Sequence, residues 1–338
     1  MNSAVKNTGF EERLFGASAE NFVELALELF RFQYASNPVY GEYCRSMAVQ
    51  PDAVKSVTQI PYLPIRLFKT HRVTSTLFEE ELIFESSGTT GSINSKHFVK
   101  DAALYQRSFL AAFRKFYGSP GRYCILGLLP SYLERKNSSL VLMAEELIRQ
   151  SGHSLSGFYL NEHEKLHKTL LHNEILKQPT LLLGVTYALL DFAEKYTLEL
   201  RHTIVMETGG MKGRREELTR PEVHAILEKK LGLAAVHAEY GMTELLSQAY
   251  SKGNGYFHCP AWMKVLIRAE DDPLSVYSGD VANNRSISGV VNIIDLANVY
   301  SCAFIATDDA GRLHPDDSFE ILGRIDNTDI RGCSLLTL

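Results

Sequence analysis

Residues 180–196, TLLLGVTYALLDFAEKY, decide the fold class of this 338-residue chain. Thr180–Leu183 is a short apolar run typical of a buried strand, and Thr186–Tyr196 predicts a helix directly after it. A strand followed at once by a helix is the unit from which parallel α/β sheets are built, because the helix carries the chain back across the sheet. The stretch therefore predicts an α/β fold with a parallel core.

The same alternation continues on both sides of this unit. Towards the N-terminus, strands are predicted at Glu81–Glu85, Lys96–Val99 and Arg122–Leu129, and helices at 22–33, 102–117, Asn137–Gln150 and Glu162–Leu176. Asp101 is a candidate N-cap, since its carboxylate can accept from the free amides of a first helical turn. Towards the C-terminus, His202–Met206 and Leu233–Ala238 are predicted strands, and a helix is predicted between Thr219 and about Gly232. Prolines in residues 45–75 predict an irregular chain there.

The pattern changes at about residue 255. The last third shows strand-like runs with turn residues between them and no helical spacing, at Trp262–Arg268, Gly289–Asp295, Cys302–Thr307 and Ser318–Leu322. We therefore expect residues 1–255 to form an α/β core with an N-terminal helical segment. Residues 256–338 are expected to form a β-rich subdomain with a short C-terminal tail, within the same compact body.

Composition excludes several classes of protein. The 35 basic and 40 acidic residues give a net charge of −5, and no basic block is present, so a nucleic-acid partner is not expected. The longest apolar stretch, 181–193, is interrupted by polar residues and predicts no membrane span. The five cysteines form no CxxC pair, and the N-terminus lacks an apolar leader, which together predict a cytoplasmic protein. Cys124, Cys259 and Cys302 are interpreted as core residues.

The strongest local signal is Glu85-Ser86-Ser87-Gly88-Thr89-Thr90-Gly91-Ser92, a loop of glycines and hydroxyls that follows an apolar strand. Glycines allow successive backbone amides to point inward, and hydroxyls add donors, which suits a polyphosphate. The loop is not a Walker motif, because no Gly-Lys-Ser/Thr follows. A solvated Ser/Gly-rich turn remains an equal alternative on composition alone.

A second signal is Glu239-Tyr240-Gly241-Met242-Thr243-Glu244, predicted to follow a parallel strand. The carboxyl ends of such strands are where open α/β sheets bind ligands. An aromatic ring there can stack on a base, a threonine hydroxyl can reach a phosphate oxygen, and a carboxylate can hold Mg²⁺. Each residue alone is a weak signal, and the combination is stronger.

Three further motifs are weaker signals. Thr208-Gly209-Gly210 ends a predicted strand and is either a ligand-facing backbone or a helix-entry turn. Thr307-Asp308-Asp309-Ala310-Gly311 is expected to end a later strand, and its residue types favour a hairpin turn. Gly323-Arg324-Ile325-Asp326 is expected to end another strand.

In this order, the motifs resemble those of the acyl-adenylate-forming superfamily, the acyl-CoA synthetases and their relatives, over residues 80–338. The chain is most similar to the acyl-protein synthetases of bacterial luciferase operons, on Leu129–Arg135 and on Ile330-Arg331-Gly332-Cys333. The resemblance implies an adenylate-forming large-domain fold that lacks the family's usual mobile C-terminal domain. It also implies activation of a carboxylic, fatty acid with ATP and Mg²⁺ to acyl-AMP.

The resemblance implies the following residue roles. Ser86, Ser87, Gly88, Thr89, Thr90 and Gly91 would cradle the ATP phosphates, Gly209 and Gly210 would lie against the adenine, and Tyr240, Gly241 and Met242 would complete the nucleotide site, with Tyr240 stacking on the base. Thr243 would contact the α-phosphate, Glu244 would bind Mg²⁺, and Asp309, with Asp308 as a near rival, and Arg324 would contact the ribose.

Cys333 would accept the acyl group and pass it to a protein partner, an acyl reductase or an acyl-carrier protein. Two departures qualify this reading: Lys96 lies five residues after Gly91 instead of the usual three, and no lysine precedes Ile330. Three alternatives stay open: direct transfer of the acyl group to a pantetheine thiol, nucleotide binding without turnover, and Cys333 as an incidental thiol. His97 and His237 flank the two main motifs as either substrate contacts or structural residues.

Overall fold

The computed structural model describes residues 9–86, 93–129, 137–209, 218–279 and 284–325. Within these ranges the α-helices are α1 (Phe10–Leu14), α2 (Phe22–Ser36), α3 (Pro38–Ser46), α4 (Leu67–Thr70), α5 (Ala102–Tyr117), α6 (Ser139–Ser151), α7 (His163–Ile175), α8 (Thr186–Lys195) and α9 (Arg220–Leu231). The strands are β1 (Leu63–Pro64), β2 (Leu82–Glu85), β3 (Lys96–Val99), β4 (Cys124–Leu128), β5 (Gly157–Phe158), β6 (Thr180–Val185), β7 (Thr203–Thr208), β8 (His237–Tyr240), β9 (Ala249–Ser251), β10 (Phe257–His258), β11 (Met263–Arg268), β12 (Val276–Tyr277), β13 (Ile287–Asp295), β14 (Phe304–Leu313) and β15 (Phe319–Arg324).

A large mixed sheet forms the framework, in the order β12-β11-β13-β14-β15-β10-β9-β8-β7-β6-β4-β5, with β1 paired to β14. Strands β5, β4, β6, β7 and β8 run parallel, which confirms the parallel α/β core. Every residue of β4 and β6 is buried, as expected for strands that are covered by helices on both faces.

The sheet changes direction at β8. Strands β8, β9, β10, β15, β14, β13, β11 and β12 pair antiparallel in that order, which confirms a β-rich C-terminal third. Because β9 and β10 lie on either side of residue 255 and pair with each other, the hydrogen-bonded ladder continues across that position. The domain boundary at 255 stays a prediction.

Local signals placed most helices correctly. Asp101 caps α5, since its Oδ1 accepts from the amides of Ala103 at 2.8 Å and Leu104 at 3.2 Å. Helix α9 ends at Gly232, whose φ of +65° suits a residue without a Cβ. The irregular chain over residues 45–75 is confirmed, with short helices and the two-residue β1.

Two strand predictions were wrong in detail. The strand predicted from Leu233 begins only at His237, because the Leu233 amide bonds back to the carbonyl of Glu228 and closes the end of α9. Residues Thr307–Gly311 do not end a strand or form a turn; they lie in the middle of β14, which has β13 on one side and β15 on the other. Pairing on both sides outweighs the local turn preference of this segment.

No helix among the residues that the structure describes is long and apolar enough to cross a bilayer.

Candidate functional site

The second sequence motif lies at the carboxyl edge of the parallel strands. Its first residues, Glu239 and Tyr240, belong to β8, and Gly241–Glu244 continue directly beyond the strand. Strand β7 ends beside it at Thr208, which pairs in register with Glu239. Gly209 follows with a φ of +74°, which favours glycine. Two of the predicted motifs therefore meet at one edge of the sheet, where α/β proteins bind ligands.

The end of the motif and the residues after it are held by the last residue of β13 and by the turn between β13 and β14. The Asp295 carboxylate accepts from the amides of Leu246 at 2.8 Å and Ser247 at 3.0 Å, and from the Ser247 hydroxyl at 2.6 Å. Asn298 donates its side-chain amide to the Glu244 carbonyl at 2.8 Å. Sequence analysis missed both residues; the available signal was that three polar residues, Asn292, Asp295 and Asn298, interrupt the otherwise apolar run of residues 290–299.

His97 and His237 both have protein partners. The His97 ring lies between the Thr243 carbonyl, 2.9 Å from Nδ1, and Asn298 Oδ1, 3.1 Å from Nε2. Burial lowers its pKa to about 4. Nδ1 of His237 lies 3.1 Å from the Tyr117 hydroxyl, and burial likewise lowers the His237 pKa to about 4. These contacts favour structural roles, and His97 directly joins β3 to the motif backbone.

Glu244 is a buried acid at this edge, only 4% exposed. Its carboxylate accepts a hydrogen bond from Ser95, and burial raises its pKa, while the positive charges of Arg324 and Lys69 act to lower it. Among the described residues no group of three metal-ligating side chains is present. A divalent cation here would take Glu244 as its protein ligand and the rest from substrate oxygens, a set that suits Mg²⁺.

The phosphate-loop candidate is described only at its ends. Ser86 and Ser95 bond each other twice: the Ser86 amide donates to the Ser95 carbonyl at 3.1 Å, and the Ser95 amide donates to the Ser86 hydroxyl at 2.9 Å. These bonds close the base of the loop between β2 and β3. Lys96 lies 3.6 Å from Glu85 across that base. Ser87, Gly88, Thr89, Thr90 and Gly91 lie outside the described residues, as do Gly210 and Cys333.

Three predicted nucleotide contacts come together on the antiparallel side. The Tyr240 hydroxyl donates to Asp309 Oδ2 at 2.7 Å, and Arg324 Nε lies 3.3 Å from Asp309 Oδ1. Asp308 instead pairs with Arg66 at 2.9 Å, so of the two aspartates Asp309 is the one that joins this group. The Tyr240 ring also packs on Phe257 and Phe319, and its stacking on a base stays a prediction.

Glu239 is a second buried acid at the site, and sequence analysis quoted it within the motif without giving it a role. It is 8% exposed, and its Oε2 accepts from the Thr208 hydroxyl. Burial raises its pKa to about 7, and the nearby charge of Glu207 acts in the same direction. A neutral carboxylic acid therefore lies next to Tyr240 at moderately low pH.

We expect Glu239→Gln to change how stability depends on pH. A carboxyl whose folded pKa is raised contributes stability that is fully present below its unfolded pKa, near 4.5, and is lost as pH rises through about 7. Relative to wild type, the variant should gain roughly 3 kcal/mol in free energy of unfolding between pH 4 and pH 8. Urea unfolding at both pH values measures this gain. An exposed control, Glu42→Gln, should show none, and equal behaviour of both variants would contradict the assignment.

Comparison with known proteins finds no match among curated proteins and several matches among solved structures. A long-chain-fatty-acid-CoA ligase from Archaeoglobus fulgidus shares 15% identity at a TM-score of 0.47, over 72% of this chain and 51% of that one. The luciferase-like enzyme of the mealworm Zophobas morio shares 16% at 0.46, over 82% and 62%. O-succinylbenzoate coenzyme A synthetase from Bacillus subtilis, solved with ATP and magnesium, shares 15% at 0.47, over 73% and 51%.

This chain thus spans between half and two thirds of the length of these solved proteins. The family comparison reaches much further along the sequence than these structural matches do. The model of the LuxE acyl-protein synthetases matches residues 15–337, nearly the whole chain. The protein belongs to the LuxE acyl-protein synthetase family.

Proposed function

We propose that this protein activates a carboxylic acid with ATP to an acyl-adenylate and then transfers the acyl group to Cys333 and on to a protein partner. The observation that carries the first step is the assembly at one sheet edge: Thr243 and buried Glu244 beyond β8, beside the Tyr240–Asp309–Arg324 group. Membership of the LuxE family supports the same reaction.

The nucleotide would span this edge. Ser86–Gly91 would hold the phosphates, Gly209 and Gly210 would lie against the adenine with Tyr240, and Asp309 and Arg324 would hold the ribose. Thr243 would donate to the α-phosphate. Glu244 would hold Mg²⁺, which supplies positive charge to the phosphate oxygens as negative charge develops on them.

In the first step, a substrate carboxylate oxygen attacks the α-phosphorus and forms a new P–O bond. The bond between the α-phosphorus and the bridging oxygen breaks, and pyrophosphate leaves. The Thr243 hydroxyl and loop amides are donors that offset charge on the pentacoordinate transition state. In the second step, a thiolate attacks the acyl carbon of the mixed anhydride, and AMP leaves with the electrons of the broken C–O bond.

Thiol chemistry supports Cys333 as the acceptor, because the four described cysteines are poor nucleophiles. Burial raises the pKa of Cys44 and of Cys259 to about 12, and also raises the pKa of Cys124 and Cys302. The interpretation of Cys124 and Cys302 as core residues is confirmed, while Cys259 is only half-buried. Since the thiolate is the reactive form, these thiols stay largely unreactive at neutral pH.

The acid is proposed to be a fatty acid, and the final acceptor an acyl reductase or an acyl-carrier protein, as the family implies. The protein is proposed to act in the cytoplasm. These finer assignments rest on the sequence resemblance.

Acid-dependent exchange of radiolabelled pyrophosphate into ATP tests the proposal. We expect exchange only when ATP, Mg²⁺ and a carboxylic acid are all present, because the first step is reversible and releases pyrophosphate. Chelation of Mg²⁺ should abolish it. If ATP binds by calorimetry but no acid from a series of chain lengths supports exchange, the protein binds nucleotide without turnover and the proposal is wrong.

A further inference from the structure

One face of the β8–β9 pair carries a group of polar side chains that the nucleotide site does not use. Glu239 on β8 and Tyr250 on β9 are directly opposed in the antiparallel register, so their side chains share a face. Gln248 precedes β9 and lies beside Gly241, with its Cγ 3.3 Å from where a Cβ on Gly241 would be. On this face Tyr250 also packs against Tyr117 of α5, at 5.4 Å between ring centroids.

Two of these groups are buried without partners. The side-chain oxygen of Gln248 and the hydroxyl of Tyr250 have no hydrogen bond among the described residues, although the residues are only 5% and 1% exposed. A buried polar atom that lacks a partner is unfavourable, and native proteins keep few of them. Because the two groups lie on one face of neighbouring residues, a single partner from outside the described residues would satisfy both.

Gly241 lies directly beside this polar group. It is exposed, and its backbone is not in the left-handed region, so glycine is not required there for its conformation. A Cβ at this position would collide with Oε1 of Glu239. Glycine therefore leaves the position of a side chain to the Glu239 carboxyl, whose Oε1 lies against the exposed Gly241 while Oε2 accepts from Thr208.

We propose that Glu239, Gln248 and Tyr250 form a subsite for a hydroxyl group on the acid substrate, so that the preferred acid is a hydroxy acid. The inference rests on the proposed adenylation, because the acid must lie beside Thr243 to reach the α-phosphorus, and Thr243 follows Gly241 by two residues. It assigns to these residues a role in substrate specificity.

The chemistry of the group suits a neutral hydroxyl. A hydroxyl donates one hydrogen bond and accepts others, so it can donate to Gln248 Oε1 and accept from the Tyr250 hydroxyl. The raised pKa of Glu239, about 7, leaves a share of this carboxyl protonated near neutral pH and able to donate as well. A second carboxylate on the substrate would be repelled by ionised Glu239 and by Glu207 nearby.

Matched acids in the pyrophosphate-exchange assay test the subsite. Wild type should use 2- or 3-hydroxyoctanoic acid with a kcat/KM at least about 10-fold above that of octanoic acid, because an unmet buried polar group discriminates against the analogue that lacks its partner. Tyr250→Phe and Gln248→Met should each lower the value for the preferred hydroxy acid about 10-fold and leave that for octanoic acid within threefold. Tyr123→Phe, whose hydroxyl bonds only the Tyr117 carbonyl among the described groups, is the matched control and should change neither.

The Tm of each variant is measured alongside its exchange kinetics, to separate loss of binding from loss of stability. Tyr250→Phe should not lower Tm, since its hydroxyl has no partner among the residues that the structure describes. A lower Tm would reveal a partner within the chain and overturn the subsite. Exchange that prefers octanoic acid, or variants that keep the wild-type preference, would also overturn it while the proposed adenylation stands. No exchange with any acid would contradict the adenylation, and the subsite with it.

Discussion

Cys333→Ala should abolish the covalent acyl adduct while leaving acid-dependent pyrophosphate exchange within about twofold of wild type. With Mg-ATP and an accepted acid, intact-protein mass spectrometry of wild type should show one added acyl group that neutral hydroxylamine removes, as expected for a thioester. Exchange should survive in the variant because adenylation releases pyrophosphate before any thiol reacts. The predicted loss of adduct is complete, since the reactive form is a thiolate and alanine offers none.

Cys259→Ala is the matched control, because Cys259 is the half-buried thiol among those the structure describes. Burial raises its pKa to about 12, so this variant should keep the full adduct. An adduct that persists in Cys333→Ala and disappears in Cys259→Ala would move the acceptor to the other cysteine. Release of acyl-AMP or acyl-coenzyme A by Cys333→Ala at the wild-type rate would favour direct transfer to a pantetheine thiol.

Glu244→Gln should lower kcat/KM for exchange by about 100-fold or more without destabilising the fold. The amide keeps the shape of the side chain but cannot offer a negative charge to Mg²⁺, whose electrostatic contribution is expected to be among the largest at the site. Stability should hold or rise, because the variant removes a carboxylate that burial already disfavours, as its raised pKa records. Exchange kinetics at several Mg²⁺ concentrations and urea unfolding measure the two effects.

Glu42→Gln, an exposed substitution of the same kind, serves as the control and should change neither quantity. A Glu244→Gln protein that retains exchange within threefold of wild type would exclude Glu244 as the metal ligand. A variant that loses activity and also unfolds at lower urea would indicate a structural role instead.

The sequence predicted the parallel core well because its strands are buried on both faces. Such strands are continuous apolar runs, and β6 at Thr180–Val185 is readable from its own residues. Thr307–Gly311 was misread for the opposite reason. Its residues favour a turn, and only strands that come from elsewhere in the chain, β13 and β15, determine its extended conformation.

The candidate site likewise has a part that local sequence predicts and a part that it does not. The motif Glu239–Glu244 is recognisable from its own residues, and the apolar residues before it predict its place at the end of a strand. The residues that hold its backbone do not stand out: Asp295 lies 49 residues beyond Leu246, and His97 lies 146 residues before Thr243. Burial and hydrogen bonding of this kind are properties of the folded chain, and no short sequence pattern carries them.

The turn between β13 and β14 is synthesised late, yet it makes hydrogen bonds to segments that are synthesised earlier. Its Asn298 holds the Glu244 carbonyl, while Gln33 of α2 donates to the carbonyls of Asn298 and Val299, at 2.9 Å each and 265 and 266 residues apart in sequence. During synthesis, α2 and the Tyr240–Glu244 motif leave the ribosome long before this turn does. A nascent chain therefore carries the Tyr240–Glu244 motif without the hydrogen bond from Asn298 until translation is almost finished. If the motif is the site of the proposed reaction, activity should begin only once the last strands have emerged.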